Sequence, residues 1–150
     1  MALPLPPAPG LLYLLDTNIL MAYVRGGPLG RRIEADYSLL TTLNVPLISI
    51  VTEGEIRSLA VRLGWGAARM RQLAFLLSTF TRVSLDAPGV LDAYVAIDAY
   101  SARNGRAMGK NDVWIAATAH ATSATLLTTD RDFDHLHPNF IDRQWIDENA

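Results

Sequence analysis

Cysteine is absent from these 150 residues, which excludes disulfides, thiolate zinc sites and a cysteine nucleophile and suits a reducing cytoplasm. Any metal must be held by oxygen or histidine. Long apolar runs are missing as well. The most apolar region, Val113 to Leu127, is interrupted by His120 and several Thr and Ser residues and falls short of the roughly 20 residues that span a bilayer. No basic segment followed by an apolar stretch opens the chain, so no export signal is read there. The expectation is a cytoplasmic protein with no membrane association. A basic excess is lacking too. The net charge is −2 and lysine occurs once, at Lys110, whereas nucleic-acid binders usually carry a positive balance. Clustered acids that bind a divalent cation would reverse their own local field, so net charge alone excludes little here.

What is present is apolar material, half of the chain, enough for one core and too little for two ordinary domains. Met1 to Gly10 is proline-rich and reads as a loose tail, leaving 11–150 as a single domain. Beyond the tail, apolar periodicity alternates between strand-like and helix-like runs. Leu11 to Leu15 suits a strand buried on both faces. Helices are expected over Thr17 to Val24 and Arg31 to Leu43, the first stopped by Gly26, Gly27 and Pro28. Pro46 to Ile50 suits a strand, followed by Thr52-Glu53-Gly54-Glu55, which has the spacing of a capping box opening a helix to about Leu63. Further helices fit Ala67 to Thr79, Gly89 to Ala102 and Asp112 to Thr122, the last capped by Asn111. Strands fit Arg82 to Leu85, Thr125 to Thr128 and Ile141 to Ile146, with a polar loop from Asp130 to His137. This alternation implies crossover connections: an α/β fold, a three-layer α/β/α sandwich around a mainly parallel sheet.

Ligands of such sheets sit beyond the carboxyl ends of the strands. Asp16 closes LLYLLD, Asp130 closes TLLTTD, Asp112 opens a helix, and Glu55 lies in the first turn after the second strand. Each alone has a bland reading as a helix cap, a dipole-favoured residue or a solvated turn. Helix capping does not demand that all four fall at one topological edge. Four carboxylates in a small volume repel, and oxygen-only ligation suits Mg²⁺ or Mn²⁺. Such ions serve phosphodiester hydrolysis, which makes a nuclease the first expectation.

The strings LLDTNIL, SIVTEGEI and GKNDVWIAATAHATSATLLTTDRDF resemble, in this order and spacing, the motifs of PIN-domain nucleases, in particular VapC-type toxins of bacterial toxin and antitoxin pairs. The resemblance covers about residues 11–146. It implies a PIN-like fold and four acids at Asp16, Glu55, Asp112 and Asp130 as catalytic and metal-binding residues, with Asn18 and Thr128 in support. It further implies Mg²⁺ or Mn²⁺ as cofactor and RNA as substrate, cut to 5′-phosphate and 3′-hydroxyl ends. A cognate antitoxin and a homodimer are the partners implied. The proline-rich start is longer than the family's common form. Glu53 competes with Glu55 for the second acid, and Glu55 is chosen because its spacing from Ser49 and Thr52 fits the family string.

Asp132 is a candidate extension of the acid set. His135 and His137 have metal-like spacing without a third ligand nearby, so a solvated loop is the better reading. Trp114 and Ile115 are read as core. Arg57, Arg103, Arg106 and Lys110 either hold RNA phosphates or are ordinary solvated charges. Two rival functions remain. Asp16 after a first strand also resembles the haloacid-dehalogenase arrangement, but Asn18 stands where that site wants a second acid. A catalytically degenerate PIN-like module that binds RNA or a partner without cutting is the other.

Overall fold

The computed structural model describes residues 11–150, and the expected tail lies outside them. The strands are β1 (Tyr13–Leu15), β2 (Leu47–Ser49), β3 (Thr81–Val83), β4 (Thr125–Thr128) and β5 (Asp142–Trp145). They form one sheet in the order β3-β2-β1-β4-β5, every pair parallel. The helices are α1 (Thr17–Arg25), α2 (Pro28–Tyr37), α3 (Ile50–Arg62), α4 (Ala67–Thr79), α5 (Val90–Arg103) and α6 (Lys110–Thr122).

Strand side chains alternate faces, and the two cores follow that alternation. Tyr13, Leu15, Ile48 and Leu127 pack with α1–α4 residues such as Ile19, Ile33, Ile56 and Leu73. Leu14 and Leu126 pack on the other face with Ile97 of α5 and Val113, Ala116 and Ala117 of α6. The result is the expected three-layer sandwich. Small residues along α6 let it approach α5 and the sheet closely. On the opposite face, α2 comes so near α1 that a Cβ on Gly30 would lie 2.4 Å from the Ala22 carbonyl oxygen, a gap only glycine tolerates. Among the described residues no helix is long and apolar enough to cross a membrane.

Several expected bounds shift: β1 begins at Tyr13 rather than Leu11, and α2 at Pro28 rather than Arg31. The helix after β2 begins at Ile50, capped by Ser49, whose Oγ accepts from Val51 N at 3.1 Å. Thr52 is therefore interior and fully buried, no capping box forms, and the Glu55 carboxylate is not used on its own backbone. The last long helix begins at Lys110 after Gly109, not at an Asn111 cap. The second helix stops at Tyr37 because Ser38 turns left-handed (φ 51°). The stretch after β4 is less polar in place than in sequence: Phe133 and Leu136 are fully buried, pinning the loop under α5 and α6.

Strand order reverses direction of growth about β1, so the crevice between β1 and β4 is the sheet's topological switch point, where ligands of open parallel sheets bind. Leu15 registers with Leu127. Asp16 consequently stands beside Thr128, and its N–H continues the ladder to the Leu127 carbonyl at 3.0 Å.

Candidate metal centre

Five carboxylates meet at this crevice, each brought by a different local rule. Asp16 follows β1 and caps α1, its Oδ1 accepting from Thr17 N at 2.8 Å. Its Oδ2 accepts from Thr128 Oγ1 at 2.7 Å. The same Thr128 oxygen accepts from Asp130 N at 2.9 Å, so one hydroxyl couples the ends of β1 and β4. Asp130 Oδ1 in turn accepts from Asp132 N at 2.9 Å, a side-chain turn that folds the loop back on itself. Asp112 lies in the first turn of α6. Glu55, released from capping, accepts from Thr17 Oγ1 at 2.8 Å and from Asn111 Nδ2 at 3.3 Å.

Asp112, Asp130 and Asp132 each offer an oxygen, all three within 4.8 Å of one another. Asp16 is only 5% exposed, and burial pushes its carboxyl up to about 6. The hydrogen bonds from Thr128 and Thr17 oppose that rise, and the charges of Asp130 and Glu55 add to it. Asp112 is pushed further, to about 7, first by burial and then by the charges of Asp16, Asp130, Asp132 and Glu55. None of the ion pairs among the described residues engages any of these five acids. An anionic cluster of oxygen donors with no ion-pair partner fits a hard divalent cation.

Glu53, the competitor for the second acid, points elsewhere and pairs with Arg57 at 3.3 Å and Arg82 at 3.2 Å. Asp132, a marginal candidate from sequence, stands with Asp112 and Asp130 in the tightest group. Asn18 is exposed and borders a groove with Met21, Arg25, Leu29, Leu59 and Leu63. Thr128, the other expected supporting residue, does bond Asp16 and Asp130, and further polar support at this edge comes from Thr17 and Asn111, a role the sequence alone does not assign them. The signal available for Thr17 was its place directly after the first acid.

His135 and His137 do not converge. His135 Nε2 is 2.9 Å from Ser101 Oγ, while His137 Nδ1 accepts from Arg143 N at 3.1 Å. Ile115 is fully buried, and Trp114 packs on Tyr94 with ring centroids 4.0 Å apart. Of the four candidate basic residues, Arg57 is held by Glu53 and Lys110 by Asp98 at 3.3 Å. Arg103 ends α5, exposed. Arg106 alone of the four lines a cavity shared with Asp132.

The PIN domain family model matches residues 13–137. No curated protein matches the chain. Among solved structures, VapBC2 from Rickettsia felis bound to a DNA fragment from its promoter is similar at 23% identity, covering 91% of this chain and 100% of that one, with a TM-score of 0.79. VapBC-1 from nontypeable Haemophilus influenzae is 23% identical over 90% of this chain and 98% of that one, with a TM-score of 0.70. FitAcB from Neisseria gonorrhoeae is 27% identical over 87% of this chain and 95% of that one, with a TM-score of 0.69.

Proposed function

The chain belongs to the PIN-domain family, and on that premise we propose that it is a Mg²⁺- or Mn²⁺-dependent endoribonuclease acting as the toxin of a VapC-type toxin and antitoxin pair. The observation that carries this reading is the convergence of Asp16, Glu55, Asp112, Asp130 and Asp132 at the switch point, none of them engaged in an ion pair among the described residues. Asp112, Asp130 and Asp132 would hold the cation, with Asp16 and Glu55 completing the anionic surround. A divalent ion held there supplies the Lewis acidity that phosphodiester hydrolysis requires. The protein's own contribution is rigidity. Thr17 and Thr128 fix Asp16, Thr17 and Asn111 fix Glu55, and the Asp130 turn fixes Asp132. The products would be 5′-phosphate and 3′-hydroxyl ends.

A proteinaceous partner is part of the same reading, supported by neighbours that are themselves toxin and antitoxin complexes. The groove bordered by Asn18, Met21, Leu29 and Leu59 offers an apolar seat beside the acid edge, and a basic antitoxin tail crossing that edge would meet unpaired carboxylates. A homodimer belongs to the proposal as well. Leu91 and Val95, one turn apart on α5 and each 61% exposed, are apolar surface that a second copy would cover.

Purified protein incubated with single-stranded and structured RNA decides the matter, with Mg²⁺, Mn²⁺ or EDTA and with D112N prepared identically to expose contaminating nuclease. Cleavage by the parent that EDTA and D112N both abolish is the expected result. Binding without cleavage in either metal would favour the degenerate module instead.

A further inference from the structure

Arg131 follows Asp130 directly, yet its side chain turns away from the acids. Its guanidinium lies 3.8 Å from the centre of the Trp145 ring, and Nη1 is 3.4 Å from Asp134 Oδ2. The indole is itself fixed, Nε1 donating to the Thr129 carbonyl at 3.0 Å. One face of the guanidinium is thus covered, and the side chain is still 65% exposed. Beside it opens a cavity of about 480 Å³ lined by Arg106, Met108, Arg131, Asp132, Asp134 and His135. That volume falls in the range of roughly 300–1,000 Å³ typical of small-ligand sites. Its back is ordered: Ser101 Oγ lies 2.9 Å from His135 Nε2 and donates to Met108 Sδ at 3.3 Å. Asp132 belongs both to this cavity and to the carboxylate group, so a strand whose phosphate meets the acids brings a neighbouring nucleotide here.

We propose that Arg131 is a stacking platform for one base of the RNA and that this cavity receives the nucleotide adjacent to the scissile phosphate, an inference that rests on the ribonuclease reading above. A planar guanidinium stacks on a base where an ammonium cannot. Freezing a long side chain against Trp145 before the ligand arrives removes entropy that stacking would otherwise cost. Asp134 does not repel the strand at full strength, because Arg131 and Arg143, the latter 3.5 Å away, share its charge. Arg106, which lines the same cavity, supplies the phosphate contact.

The test compares a fluorescently labelled short single-stranded RNA of mixed sequence with an abasic ribose-phosphate strand of the same length, both bound in Ca²⁺ and read by anisotropy. Base stacking is worth about 1–3 kcal/mol, so the parent should favour the base-bearing strand by roughly 5- to 150-fold. Arg131→Lys keeps the charge and loses the planar face. It should retain affinity for the abasic strand while losing most of the preference for bases, and Arg131→Ala should weaken both strands. Neither variant should alter the thermal shift produced by Mn²⁺ alone. A preference that survives Arg131→Lys overturns the proposal, as does a parent indifferent to bases. A parent that neither binds nor, with Mg²⁺ or Mn²⁺, cuts any RNA removes the ribonuclease reading and this inference with it.

Discussion

Thr128 Oγ1 donates to Asp16 Oδ2 at 2.7 Å across 112 residues of sequence, and both residues are buried. The hydroxyl is also the acceptor for Asp130 N. A single side chain therefore fixes the acid at the end of β1 and the backbone of the acid after β4.

Thr128→Val preserves shape and β-branching while removing that hydroxyl. It should cost roughly 1.5–3 kcal/mol of stability, the usual worth of a hydrogen bond to a charged group, and lower RNA cleavage as well. Thr128→Ser should restore most of both. Urea unfolding paired with cleavage rates checks this, and a silent Thr128→Val would show that Asp16 needs no such fixing.

Glu53 and Glu55 are two residues apart and separable by mutation. Glu55→Gln should lower cleavage on the order of 100-fold or more by changing the charge that faces the cation. Glu53→Gln, which breaks only pairs with Arg57 and Arg82, both largely exposed, should leave cleavage within a few-fold and stability within about 1 kcal/mol. Equal losses would mean that Glu53 reaches the site in solution.

Asp132 stands at the rim of the tight carboxylate group and is its exposed member. Asp132→Asn should weaken Mn²⁺ affinity by about 10- to 100-fold, with most of the turnover returning at saturating metal. Asp112→Asn should not be rescued in this way. Titration of cleavage against Mn²⁺ separates the two, and an unchanged midpoint for Asp132→Asn would remove that residue from the metal.

The raised carboxyls of Asp16 and Asp112 set a pH dependence in the absence of metal. Both bind protons more tightly when folded than their usual value of 3.8, at about 6 and about 7. The folded chain therefore holds extra protons between about pH 4 and pH 7, and their contribution to stability is full below that window and lost as pH rises through it. Melts in EDTA should accordingly fall from pH 5 to pH 8. Asp112→Asn should flatten the curve and melt above the parent at pH 8 in EDTA, while Mg²⁺ or Mn²⁺ should raise the parent more than the variant. A parent that melts identically with and without metal at pH 8 would mean that the acids are satisfied within the protein.

Much of the architecture is legible from local pattern. The short apolar runs LLYLL and TLLT supply β1 and β4, buried along Tyr13–Leu15 and over most of Thr125–Thr128, and Gly26, Gly27 and Pro28 punctuate α1 as turn chemistry requires. Capping was less legible. Ser49 and Thr52 are both competent N-caps, and the sequence favours Thr52 through Glu55; the chain instead starts α3 directly off β2, with Ser49 as the cap and Thr52 buried inside the first turn. Arg131 sits in the stretch that reads as a polar loop, and its partner Trp145 comes from β5.

By itself the sequence determined the alternation of strands and helices, the parallel sheet that follows from it, and which acids stand at strand ends and helix starts, since these depend on residues near one another in the chain. Only the tertiary structure decided which of those acids share a volume, that Thr17 and Asn111 hold Glu55, that Glu53 is turned away onto arginines, and that Arg131 lies on Trp145. The physical reason is that charge repulsion, burial and stacking act through space at a few ångströms. The strand register that brings Leu15 beside Leu127 sets those distances, and no local pattern encodes it.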